Sequence, residues 1–141
     1  MKILRNCIAL CFALHIGLGI SQEQDKGWVI THKVNADLAL QKQDLRNIYM
    51  GAAATYKLTP IQLPAGSETR QLFNSSVIGI AESRFQSFWS QMQFSGRGTP
   101  PEVIESLSEL LRRVEQDPNV IAYVPANVTL PQDAVVIYRL R

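Results

Sequence analysis

Cysteine is almost missing from this 141-residue chain: Cys7 and Cys11 are the only two, and nothing after position 11 can form a disulfide, a thiolate nucleophile or a Cys-ligated zinc site. Histidine is equally scarce. Beyond His15 the chain has His32 alone, so no multi-histidine metal site can be built from the rest, and any Ser-His-Asp triad would have to use that one residue. There is no basic stripe either. The formal charge is +2, and Lys2 and Arg5 are the only charged groups in the first 21 residues, so the remainder is neutral. A neutral chain of this kind is a poor candidate for binding nucleic acid. Long apolar runs are confined to Ile8–Ile20, too short to cross a bilayer comfortably.

That run has another reading. Met1-Lys-Ile-Leu-Arg5 is a short basic region, the apolar stretch follows, and the small residues Gly19 and Ser21 suit a cut before Gln22. This is the pattern of a secretory signal peptide over residues 1–21, with a periplasmic or secreted product. Both cysteines and His15 leave with it. Residues 22–141 are the right length for one compact domain with one core, and no span is left to hold it in a membrane.

The layout alternates. Trp28–Val34 reads as a strand, and 41–50 as a helix with Leu45, Ile48 and Tyr49 on one face, closed by Gly51. Pro60–Leu63 is a short strand. Ser67 caps a helix running to about Val77, with Gly79 ending it. Phe85, Phe88, Trp89 and Met92 recur at helical spacing within 82–94 and read as core. Ser106 and Glu109 form a capping box before Leu107, Leu110, Leu111 and Val114, so Glu102, Glu105 and Glu109 read as a polar face and cap rather than a catalytic pair. Pro118-Asn119 turns the chain, Asn119 being tolerant of positive φ. Strands follow at Val120–Val124 and Ala134–Leu140. The alternation predicts an α/β layered domain.

Two glycine–serine corners draw attention. Gly66-Ser67-Glu68-Thr69 opens a helix, whose first amides lack partners and carry partial positive charge. Ser95-Gly96-Arg97-Gly98 sets a guanidinium between glycines. Each has an ordinary explanation: Ser67 as a cap, Thr69 as first-turn filler, Arg97 as solvated loop, His32 as a plain strand residue.

Taken in order, Leu45-Arg-Asn-Ile-Tyr-Met-Gly51, Pro60-Ile-Gln-Leu-Pro-Ala-Gly-Ser67, Arg70, Phe73, Trp89, Phe94-Ser-Gly-Arg-Gly98 and Pro118-Asn-Val-Ile-Ala-Tyr-Val124 resemble the periplasmic phosphate-binding proteins of ABC transporters, over residues 28–126. The likeness is to their second lobe in a short single-lobe form. It implies a type 2 periplasmic-binding-protein-like fold, a mixed sheet flanked by helices. It further implies a non-enzymatic, cofactor-free protein that binds phosphate or another small oxyanion, weakly because one lobe cannot enclose it. The implied ligand residues are Gly66, Ser67, Thr69, Arg70, Gly96 and Arg97. Four positions depart from the family's pattern: Glu68 stands where its Ser-Gly-Thr has glycine, Leu63 stands where it has an arginine, and Asn119 and Ala122 stand where glycines are usual.

Those departures favour a second reading, a periplasmic interaction or sensor module for an envelope protein or ABC transporter that kept the fold and lost the ligand. A hydrolase is the weakest reading, for want of a nucleophile–base set. The two leading readings part at one observation. An oxyanion site needs Ser67 and Arg97 in one cavity, and their separation puts the interaction module ahead.

Overall fold

The computed structural model describes residues 23–52 and 55–141. The expected signal peptide, 1–21, lies outside them. Among the described residues no helix is long and apolar enough to cross a membrane.

In chain order the elements are β1 (Gly27–His32), α1 (Lys42–Tyr49), β2 (Thr59–Gln62), α2 (Glu68–Phe73), α3 (Glu82–Phe94), β3 (Glu102–Val103), α4 (Leu107–Gln116), β4 (Val120–Pro125) and β5 (Ala134–Leu140). Five strands form one mixed sheet in the order β3-β2-β4-β1-β5. β2 runs parallel to β3 and β4, while β1 runs antiparallel to β4 and β5. This is the α/β class expected. One consequence positions the site: the end of β2, the end of β4 and the start of β1 all lie at the same edge of the sheet.

The core explains why the elements stay together. Val29, Ile30, Ile61, Phe73, Phe85, Leu110 and residues 120–124 are buried. β4 is apolar along its whole length because elements pack against both of its faces. Tyr123 stacks on Phe73 with ring centroids 4.3 Å apart, and Tyr49 leans on both rings. The Tyr49 hydroxyl donates toward the carbonyls of Ile61 (3.1 Å) and Ile121 (3.2 Å), bridging β2 and β4 from the end of α1. The Tyr123 hydroxyl is buried beside the Leu63 backbone and makes no well-formed hydrogen bond. Burial pushes both phenols up from their ordinary pKa.

Several boundaries differ from the sequence expectation, each for a local reason. β1 stops at His32 rather than Val34, because His32 Nδ1 accepts the Val34 amide and starts a 3₁₀ turn over Lys33–Asn35. The helix opened by Ser67 does not run smoothly to Val77. It gives way at Asn74 to a π turn, Asn74–Ile78, which ends at Gly79 as expected. Asn119 does not use positive φ: among the described residues only glycines do. The turn is set instead by Asp117, whose carboxylate accepts the Asn119 amide at 2.9 Å. β3 was not foreseen. It is two residues long, held by Gln62, whose side-chain amide donates to Pro101 and whose carbonyl accepts from Ile104, both at 2.8 Å.

Three substitutions test this packing. Tyr49→Phe removes a shared donor from two strand carbonyls and should cost about 1 kcal/mol. Tyr123→Phe removes an unpartnered hydroxyl and should be neutral or stabilising, by urea denaturation. Because both phenols ionise less readily folded than unfolded, their contribution is complete below about pH 10 and declines as pH rises beyond it. Stability curves at rising alkaline pH should show that fall. Gly51→Ala should cost about 2 kcal/mol, since φ there is 66° and a Cβ would sit 2.7 Å from the Trp89 ring.

Candidate functional site

A cavity of about 1130 Å³ opens at the sheet edge where β2 and β4 end and β1 begins. Ligands of open α/β sheets bind in the crevice beyond the carboxyl ends of the strands. The wall is built from three segments. Glu23–Lys26 precede β1, with Trp28 following. Ser67, Glu68, Thr69 and Leu72 come from the start of α2. Pro125, Ala126 and Asn127 follow β4.

Ser67 sits here because of the turn before it. Its amide donates to Pro64 O at 3.0 Å, and its hydroxyl accepts the Arg70 amide at 3.4 Å, the expected N-cap contact. Gly66 leaves open space beside the turn. Thr69 is buried, its methyl against Gly27. Glu68 is exposed, one step from Ser67 on the cavity wall.

Arg70 turns the other way. Its side chain is 5% exposed and makes a two-pronged pair with Glu82, Nε to Oε2 at 2.9 Å and Nη2 to Oε1 at 2.5 Å. The third prong donates to Leu63 O at 2.9 Å, and the guanidinium lies over the Phe85 ring at 5.7 Å. Glu82 also accepts from Asn74 and Gln86. Each of the three guanidinium nitrogens of Arg70 is thus engaged inside the protein. Leu63 is buried as well, so the position the family fills with arginine belongs here to the core.

Arg97 is elsewhere. Gly96 at φ 67° reverses the chain at the end of α3, with Gly96 N donating to Gln93 O and Arg97 N to Met92 O. The segment then feeds the amino end of β3, which runs parallel to β2. Ser67 follows the carboxyl end of β2. The two corners therefore lie at opposite edges of the sheet, and neither Gly96 nor Arg97 lines the cavity. Of the six expected ligand residues, Ser67 and Thr69 line it, with Gly66 in the adjoining turn.

The sequence reading did not anticipate Glu23, Asp25, Lys26 and Trp28. Asp25 accepts from Trp28 Nε1 at 3.0 Å and pairs with Arg139 of β5. That hydrogen bond from Arg139 holds its carboxyl below the usual range. Spacing hints at the Asp25–Trp28 contact, three residues apart, but nothing in the sequence announces Arg139, 114 positions away. With Asp25 matched by Arg139, the charged groups left on the wall are Glu23 and Glu68 against Lys26. Among the described residues no group of three or more histidines or acids could hold a metal.

An ABC-type phosphate transport receptor from Vibrio cholerae superposes with a TM-score of 0.59 at 16% identity, over 80% of this chain and 45% of that one. A putative phosphate ABC transporter substrate-binding protein from Clostridium perfringens, with bound phosphate, superposes at 0.60 and 17%, over 80% and 44%. The fold is phosphate-binding-protein-like. The chain spans less than half the length of either neighbour. No family model matches the sequence, and no curated protein matches it.

In this phosphate-binding-protein-like domain, removing Glu82 alone strands a buried guanidinium. Glu82→Ala should cost about 3–5 kcal/mol, while Arg70→Met with Glu82→Leu should recover much of that loss. Urea denaturation of Glu82→Ala, of Arg70→Met and Glu82→Leu singly, and of the double checks it. Additive losses would show that the pair is not coupled.

Proposed function

We propose that the chain is an exported, non-enzymatic interaction or sensor module of solute-binding-like fold, whose cavity at the ends of β2 and β4 is its recognition surface, and that any affinity for phosphate there is weak. One observation carries this reading: Ser67 and Thr69 line the cavity, but neither Arg70 nor Arg97 does, and the one lysine of the wall, Lys26, stands against Glu23 and Glu68. Arg70 is engaged by Glu82 and Leu63, and Arg97 lies at the other edge of the sheet. Glu68 on the same wall opposes an anion by about 1 kcal/mol or more at close range. Export is supported by the basic start and apolar run of residues 1–21. A non-enzymatic role is supported by the place of His32, the lone histidine of residues 22–141, which does not line the cavity and whose Nδ1 caps the Val34 amide.

The partner that suits such a module is an envelope protein or a transporter. The cavity's size favours it. About 1130 Å³ is at or above the upper end of small-ligand pockets and far larger than one phosphate needs.

Calorimetry of residues 22–141 with phosphate and with sulfate tests the weak affinity. Affinity of about millimolar order is expected, and Glu68→Gly should tighten it roughly threefold to tenfold. Submicromolar binding would overturn the weak affinity. No heat at saturating millimolar ligand would remove phosphate and leave the interaction module.

A further inference from the structure

The cavity wall has a chemistry of its own beyond a weak oxyanion contact. Trp28, Leu72 and Pro125 supply apolar surface. Asp25 is matched by Arg139, so the unmatched carboxylates are those of Glu23 and Glu68, facing a single lysine, Lys26. Both Glu23 and Glu68 are exposed residues of the wall. Such a wall complements a flexible cationic side chain, whose methylene stem lies along apolar surface while its charged head reaches a carboxylate. An indole is also the preferred aromatic partner for a cation. The volume accommodates several residues of an extended chain rather than one ion.

We propose that the cavity docks a basic peptide segment of a protein partner, with a lysine or arginine directed to Glu68 and Glu23 beside Trp28. This rests on the interaction-module reading and names the chemistry of its partner. Lys26 is the counterweight in the same wall. It lowers affinity for a cationic segment and sets a limit on how much positive charge the cavity accepts.

The test uses residues 22–141 labelled with ¹⁵N, hexalysine as probe, and hexaglutamate and inorganic phosphate as comparisons. Hexalysine should shift the amides of Lys26–Trp28, Ser67–Leu72 and Ala126–Asn127. Hexaglutamate should leave those amides unmoved. Glu68→Gln should weaken hexalysine binding roughly threefold to fivefold, and Lys26→Ala should strengthen it by a similar factor. Glu105→Gln, an exposed acid outside the cavity wall, should leave it unchanged. Shifts scattered over the surface, or Glu68→Gln behaving like Glu105→Gln, would overturn the proposal. The phosphate arm separates the two levels: if phosphate moves the cavity amides at concentrations where hexalysine does not, the interaction-module reading fails too. If neither probe moves them, only the basic-segment proposal fails.

Discussion

The buried pairing of Arg70 with Glu82 organises the side of the sheet on which α2 and α3 lie. A guanidinium taken out of water needs a carboxylate and a full set of acceptors, or it costs several kcal/mol. Here it receives two contacts from Glu82 and one from the Leu63 carbonyl, just past the end of β2. Glu82 also takes donors from Asn74 and Gln86. The pair therefore ties the exit of β2, the body of α2, the π turn and the first turn of α3 into one assembly. Ala81 offers α3 no side-chain cap, so Glu82 is the polar anchor of that helix start.

The same pairing decides what the neighbouring cavity can do. A guanidinium satisfied on one side of α2 is not available on the other, where Ser67 and Glu68 face open space. The cavity has a hydroxyl-bearing helix start without an arginine beside it, and Glu68 makes the local charge negative. Position at the carboxyl edge of the sheet comes from the fold, whereas the charge at that position comes from individual side chains. A fold shared with phosphate receptors at 16–17% identity is compatible with a different guest.

Much of this was legible in the sequence. The bounds of α3 and β5, the Ser67 cap and the glycine end at Gly79 follow from patterns within a few residues of each other. So does the alternation that makes the domain α/β. Elements held by distant partners were not legible. β3 exists because Gln62 reaches across to Pro101 and Ile104, and the π turn exists in company with the Asn74 contact to Glu82. The candidate site divides along the same line. Ser67 and Thr69 sit in one local motif and stay together. Joining them to Arg97 required knowing that β2 and β3 run parallel, because that places the two glycine corners at opposite ends of the strands. The Asp25–Arg139 pair spans nearly the whole domain, and no spacing rule reaches that far.

The bulge in the β1–β5 pairing, where the register shifts between Val29 and Ile30, has a consequence for how the protein behaves in a crowd. A sheet has two open margins. One is β3, two residues long. The other is β5, seven residues of Ala-Val-Val-Ile-Tyr-Arg-Leu that would otherwise offer a straight, apolar ladder of free amides to any extended chain. Bulged strands bend and coil, so the ladder is broken near its middle before a foreign strand can zip along it. The irregularity thereby works as a guard against runaway polymerisation, and repairing it by deleting one residue would yield a smoother sheet in a stickier protein.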